Sequence, residues 1–341
     1  MRSPKASSLP TMLRLFSRSA PSVKAAVCAR PTYTILNQRN MATNHAETAQ
    51  FDRSKLFDVS HVTAVVTGGA TGIGLMITQA LVANGAKVYI TGRRQEALDN
   101  AVKTYNTGSG RVVALPGDVS SKSDVQRLAS ELAQKEPNGI QLLVNNAGIA
   151  RDDETKFSAN DGPPDLKDPS AVSKYFLASK PENWDETFRT NVTGIYFTSM
   201  AFLPLLAKGG SSVPDYSSSV VNVSSISGCM KGSSAGQFAY AASKAAATHV
   251  GRMLASMFVE CGVRVNTIAP GVFPSEMTTG SSDDRNKSQL SSKASNPAGR
   301  YGTESDMAAT ILFLASRGGT FYNEQIMYPD GGNTLVQPAA K

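Results

Sequence analysis

From Phe51 onward the chain is periodic. Short apolar runs recur at VTAVVTG (62–68), KVYIT (87–91), RVVAL (111–115), IQLLVNN (140–146), SVVNVS (219–224) and VRVNTIAP (263–270). Each has strand length and is nearly continuously apolar, the mark of a strand buried on both faces. Between them lie stretches of helical spacing at Leu75 to Asn84, 122–135, 183–207, 239–260 and 304–316. Strands alternating with helices predict βαβ units, hence an α/β domain with a parallel sheet covered on both sides. Two segments break the rhythm. Residues 151–182 are polar and contain Pro163, Pro164, Pro169 and Pro181, while residues 279–297 are rich in Ser and charge. Both are expected at the surface as loops or short helices, and loops this long inside a domain are often functional.

Charge adds a boundary. Of 341 residues, 34 are Lys or Arg and 27 are Asp or Glu, a formal net charge of +7. Residues 1–46 hold seven basic residues (Arg2, Lys5, Arg14, Arg18, Lys24, Arg30, Arg39) and no acid; the first carboxylate is Glu47. The rest of the chain is therefore neutral, which argues against nucleic acid as a partner, since phosphate binding needs a basic excess. The leader is Arg-rich, Ser-rich and acid-free, as in MLRLFSRSA, and reads as a mitochondrial targeting segment, with a disordered basic tail as the alternative. Translation from Met41 would give a leaderless, cytoplasmic form. The expected organisation is a leader over 1–46 and one domain over 51–337 carrying the insertion 151–182. No run of about 18 apolar residues occurs, so no membrane span is expected. Cys28, Cys229 and Cys261 lie far apart, without disulfide or zinc spacing. With three histidines and no close ligand cluster, no catalytic metal is expected.

The chemistry begins at VVTGGATGIG (65–74), where Gly68, Gly72 and Gly74 follow the first strand and open a helix. Small residues let the backbone approach a pyrophosphate, and the helix start offers unpaired N–H donors. A glycine turn placed between a strand and a helix, with another strand after it, points to a Rossmann-type doubly wound sheet binding a dinucleotide. Thr71 and Ile73 belong to the same turn. At the end of the second strand an NAD-binding chain would carry an acid on the ribose hydroxyls. Here VYITGRRQ places Gly92 there, followed by Arg93 and Arg94. A missing carboxylate and an added guanidinium favour a 2′-phosphate, hence NADP(H), with Arg93 the better partner.

YAASK (240–244) opens a helical stretch and puts Tyr240 and Lys244 at i and i+4, on one face. A free phenol titrates near pH 10, and a neighbouring ammonium is expected to lower that value toward the working range. Upstream, VNVSSISG ends a strand and supplies the hydroxyls of Ser224, Ser225 and Ser227.

Together, TGGATGIG, NNAG (145–148), Asn191 in FRTNVTG, Ser225, YAASK and the Pro270–Gly271 pair occur in the order seen in the short-chain dehydrogenase/reductase family. The chain resembles that family from about residue 60 to 335, and APGVFPSEMT (269–278) looks most like its rhamnolipid-biosynthesis-type 3-oxoacyl-acyl-carrier-protein reductases. The resemblance implies that Tyr240 protonates the substrate oxygen, Lys244 tunes Tyr240 and binds the nicotinamide ribose, Ser225 holds the substrate oxygen, and Asn191 holds a water leading to solvent. It selects Ser225 over Ser224 because the family's serine precedes a glycine, here Gly228, by three residues. It also implies cofactor contacts for Asn145, Ala147, Gly148, Asp118, Val119, Pro270, Gly271 and Ser275. One position departs from the pattern: Glu324 stands near a glycine of the family's last strand.

The expected activity is transfer of hydride between NADPH and a ketone or 3-oxoacyl carbonyl. The expected partner is a small carbonyl compound or acyl thioester. Alternatives are a dehydrogenase of a free alcohol or steroid, and a non-catalytic NADPH sensor. The family resemblance further implies a homodimer or homotetramer.

Overall fold

In the computed structural model the described residues are 48–49, 51–106, 108–160 and 162–337. The leader over 1–46, and the import reading that rests on it, lie outside them. Seven strands, β1 (Thr63–Thr67), β2 (Lys87–Thr91), β3 (Arg111–Ala114), β4 (Leu142–Asn145), β5 (Ser219–Val223), β6 (Arg264–Ile268) and β7 (Ile326–Met327), form one sheet in the order β3-β2-β1-β4-β5-β6-β7. Every pairing is parallel. This is the doubly wound arrangement the alternating pattern predicts.

The helices are α1 (Arg53–Leu56), α2 (Gly72–Ala83), α3 (Gln95–Tyr105), α4 (Lys122–Lys135), α5 (Pro169–Phe176), α6 (Pro181–Phe188), α7 (Gly194–Ser211), α8 (Phe238–Met257), α9 (Glu276–Thr279), α10 (Glu304–Ala315) and α11 (Asn333–Val336). Consecutive strand residues point to opposite faces. Val66, Val144 and Val221 meet Leu75, Leu81, Ile311 and Leu314 on one side. Val65, Leu143, Val220 and Val265 meet Leu128, Leu132, Phe202 and Leu254 on the other. Two apolar layers explain why the strand sequences show no polar alternation.

Two differences from the sequence reading have local causes. Helix α3 is absent from the periodicity because only Leu98 and Ala101 of its eleven residues are buried. The single helix expected over 183–207 is two, α6 starting at Pro181 and α7 at Gly194, joined by a π-helical segment Arg189–Thr193. Proline at the first helical position needs no N–H partner, so α6 starts inside the polar insertion. The insertion also contains α5, capped by Asp168, whose carboxylate accepts from Ser170 N–H at 2.9 Å.

The strand order reverses between β1 and β4. In open parallel sheets a crevice opens at the carboxyl end of that junction.

Candidate active site

The crevice is a cavity of about 450 Å³ lined by the glycine turn, the ends of β2 and β4, and the start of α8. Gly68, Thr71, Gly72, Ile73, Arg93, Arg94, Asp118, Val119, Ala147, Gly148, Tyr240, Lys244 and Ser275 all line it. Residues spread over two hundred positions thus converge on one site.

At the glycine turn Gly68 and Gly72 hold left-handed backbone, φ +63° and +54°. Thr71 precedes α2 without a side-chain cap, and its hydroxyl instead receives Arg94 Nη2 at 3.4 Å. The first-turn N–H groups of α2 thus carry no side-chain cap, which suits an anion. Gly74 does not line the cavity; a Cβ there would lie 2.1 Å from Gly68 O, so it serves the close packing of helix on turn.

The two arginines differ. Arg94 makes a two-point ion pair with Glu276 of α9, 3.1 and 2.7 Å, which holds the Glu276 carboxyl below its usual range. Arg93 lies at the cavity edge and forms no ion pair among the described residues. A guanidinium already bound to a carboxylate is a poorer phosphate partner than a free one, so the geometry favours Arg93. Asp118 lines the cavity, but its carboxylate is turned on its own loop, accepting from Ser120 N–H at 2.9 Å and Ser120 Oγ at 2.8 Å. Ser275 lies against Gly72, where a Cβ would sit 3.0 Å from Ser275 Cβ.

Three further expected contacts, Asn145, Pro270 and Gly271, fall elsewhere. Asn145 points away from the cavity: its Nδ2 donates to Ser199 Oγ and Asn222 Oδ1, both at 2.9 Å, in the buried layer under α7. Strand alternation dictates this, since Asn145 shares a face with Leu143. Asn146, one residue beyond the strand, lines the cavity instead and donates to Thr67 O at 2.9 Å and Gly68 O at 3.2 Å. Pro270 and Gly271 also lie outside the lining. Pro270 O accepts from Ile226 N–H at 3.1 Å, and Gly271 N–H donates to Pro329 O at 3.1 Å, so they tie β6 to its neighbours.

At the inner end, Tyr240 and Lys244 share the cavity face of α8, and the Ser225 hydroxyl hydrogen-bonds Tyr240. Ser224 is committed elsewhere, bonding Lys244 O at 2.8 Å and Thr248 Oγ1 at 2.7 Å, which leaves Ser225 as the hydroxyl beside the phenol. Lys244 is buried, donates to Val223 O at 3.0 Å, and is pushed down to about 8 by its burial. The expected acidification of Tyr240 is not what this geometry produces. Burial pushes the phenol up, and the Ser225 hydrogen bond pulls only partly against it. Desolvation acts on both groups and weakens the ammonium that was to supply the effect.

Asn191 sits in the π-helical segment and is fully buried. Its Nδ2 donates to Ile149 O at 2.8 Å and Ser243 Oγ at 2.9 Å, and its Oδ1 accepts from Ile149 N–H at 2.8 Å. The Asn191 side chain thus braces the exit of β4 against α8. A π-bulge at such a place is a common mark of a functional site.

Among the lining residues that sequence reading missed are Asn146, Val223, Glu276 and Met277. Asn146 was legible in NNAG once strand parity is applied; nothing local marks the other three.

Residues 68–334 match the family model described as enoyl-(acyl carrier protein) reductase. The short-chain dehydrogenase/reductase PhomF′ of Diaporthe leptostromiformis is 39% identical over 288 residues, 84% of this chain and 95% of that one. The rhamnolipids biosynthesis 3-oxoacyl-[acyl-carrier-protein] reductase of Pseudomonas aeruginosa is 34% identical over 278 residues, 81% and 97% of the two chains. Among solved structures, the Pseudomonas aeruginosa RhlG/NADP active-site complex superposes with a TM-score of 0.67 at 30% identity, covering 81% of this chain and 98% of that one. A putative short-chain alcohol dehydrogenase from Sinorhizobium meliloti 1021 gives a TM-score of 0.64 at 26% identity, covering 83% and 99%.

Proposed function

Because this chain belongs to the short-chain dehydrogenase/reductase family, and is thus an oxidoreductase, we propose that it reduces a ketone or 3-oxoacyl carbonyl to a secondary alcohol with NADPH. The observation that carries the reading is a single cavity holding both a glycine turn fit for a pyrophosphate and the Tyr240–Lys244 pair, with the Ser225 hydroxyl bonded to the phenol from outside the lining. The residues fit the cofactor. Gly68, Gly72 and the open start of α2 suit its phosphates, Gly92 offers no carboxylate against a 2′-phosphate, and Arg93 is available to bind one. When bound, NADPH supplies a hydride to the carbonyl carbon.

The chain's own residues supply the rest. A phenol raised above its ordinary value stays protonated at neutral pH, so Tyr240 is set as a proton donor to the carbonyl oxygen. Ser225, already bonded to that phenol, places a second hydroxyl beside the same oxygen. Lys244 carries a charge below pH of about 8 that stabilises Tyr240 as its proton leaves. Asn191 keeps α8 against the exit of β4.

The test is NADPH oxidation with 3-oxoacyl thioesters, enoyl thioesters, simple ketones and quinones. Turnover of a carbonyl is the expected result. Turnover confined to enoyl thioesters would replace carbonyl with alkene reduction, the reaction named by the matched family model. Tight NADPH binding with no turnover would favour a sensor. The same reading includes a homodimer or homotetramer formed through α7 and α8, where Tyr196, Phe238, Met253 and Met257 are exposed.

A further inference from the structure

The insertion 151–182 and the start of α8 are joined by a set of bonds that the reduction chemistry does not require. Helix α8 begins after Gln237, which makes no side-chain cap bond. A helix start leaves its first N–H groups unpaired, and an uncapped start frays. Here the cap comes from far away in sequence. Asp152 is buried, and its two carboxylate oxygens accept from Ala239 N–H at 2.9 Å and from Tyr240 N–H at 3.1 Å. These are the second and third helical positions, the ones a local cap would serve, and the second N–H belongs to Tyr240 itself.

Neighbouring contacts hold the carboxylate in place. Asp152 O accepts from Thr155 N–H at 3.1 Å and Lys156 N–H at 2.8 Å, closing a turn around the residue. Thr155 Oγ1 donates to Gly236 O at 2.7 Å, and Phe157 N–H donates to Ala235 O at 2.8 Å. The approach at Gly236 leaves no room for a Cβ, which would lie 1.9 Å from Thr155 O. The gripped segment is unusual: Ser234, Ala235 and Gly236 are all left-handed, with φ of 50°, 57° and 90°. Non-glycine residues hold such backbone only where surrounding contacts impose it. On the outer side, Phe157, Tyr175, Phe176 and Phe238 form a chain of edge-to-face rings with centroids 5.0–6.2 Å apart, again linking the insertion to the first turn of α8.

We infer that Asp152 is a positioning residue for Tyr240: the start of the insertion caps the catalytic helix from outside, and so sets where the phenol stands. This rests on the proposed reduction at Tyr240 and assigns the insertion a role as brace. Carboxylate capping orders the turn that carries the phenol while leaving the dinucleotide half of the cavity untouched. Removing it therefore separates turnover from cofactor binding.

The experiment compares Asp152→Ala, Asp152→Asn and Thr155→Val with the unaltered full chain. Asp152→Ala should lower kcat per NADPH-binding site by about 10- to 100-fold, as small misplacements of a catalytic group do. The KM for NADPH should stay within about twofold, since uniform binding is unchanged. Asp152→Asn keeps one acceptor oxygen and should recover part of the loss; Thr155→Val should cost a few-fold in kcat. Amide hydrogen exchange over residues 238–242 should quicken in Asp152→Ala, and this readout is independent of any substrate. Unchanged exchange there, or unchanged kcat in a folded Asp152→Ala, overturns the inference. If Asp152→Ala does not fold, unchanged kcat in both Asp152→Asn and Thr155→Val overturns it. Absence of carbonyl turnover in the unaltered chain would count against the proposed reduction, while the exchange result still decides the capping.

Discussion

Lys244 Nζ stands 5.7 Å from the centre of the Tyr240 ring, one turn along α8, and is anchored by Val223 O at 3.0 Å. A buried ammonium held by one carbonyl is costly, and its proton is correspondingly loose. The two groups are displaced in opposite senses by the same burial, the phenol upward and the ammonium downward. Burial that keeps Tyr240 protonated suits the reduction direction.

Tyr240→Phe removes the proton donor and leaves the ring. Carbonyl reduction should fall by about 100- to 10,000-fold, the range for loss of a general acid. NADPH affinity, followed by nucleotide fluorescence, should be nearly unchanged. Substantial residual turnover would exclude Tyr240 as the acid.

Lys244 gives a pH prediction. Its ammonium form is lost as pH rises through about 8, so kcat/KM for reduction should decline above that value. The stability sign is the reverse of a paired lysine. The folded value lies below the unfolded one of 10.5, so the unfolded chain binds more protons between about 8 and 10.5, and stability rises with pH across that window. Below it the full penalty applies. Lys244→Met should therefore raise stability at pH 7 by about 1–3 kcal/mol in chemical denaturation while abolishing turnover. A destabilised variant would contradict the buried-charge account.

Arg93→Ala should raise the KM for NADPH by about 10- to 100-fold, the worth of a hydrogen-bonded charge pair, and leave the KM for NADH nearly unchanged. Arg94→Ala should act less selectively, because Arg94 is bound to Glu276. Equal effects of Arg93→Ala on both cofactors would refute the 2′-phosphate assignment.

Glu324 has φ 61°, left-handed backbone, near where the family resemblance implies a glycine. Its compensation is an ion pair with Arg252 at 2.9 Å between two exposed side chains, worth little in water. Glu324→Gly should stabilise the fold by about 0.5–1 kcal/mol in thermal unfolding, the strain removed exceeding the added chain entropy. A loss of stability would show that the Arg252 pair outweighs the strain.

Residues 1–46 carry seven basic residues and no acid, and we propose that they direct import into mitochondria. The full chain and a form lacking residues 1–40, each fused to a fluorescent reporter, should separate, with the full chain in mitochondria and the shortened one in the cytoplasm. An unchanged location would exclude import through this segment.

Strand and helix alternation from Thr63 to Ile268, the glycine turn, and the pairing of Tyr240 with Lys244 were all legible in the residue order, because each depends on neighbours within a few positions. Backbone periodicity and steric freedom are local properties. Helix α3 escaped because only two of its residues face the core, and the π-helical break before α7 has no signature in FRTNVTG. Other features depended on packing between distant segments. These are the inward turn of Asn145, the capture of Arg94 by Glu276, the burial that raises Tyr240 and lowers Lys244, and the cap that Asp152 sends across 87 residues to Ala239. The order of residues determined which groups this protein has and which share a helix face. Only the tertiary structure decided their protonation and their partners, because desolvation and long-range hydrogen bonds exist only once the layers close.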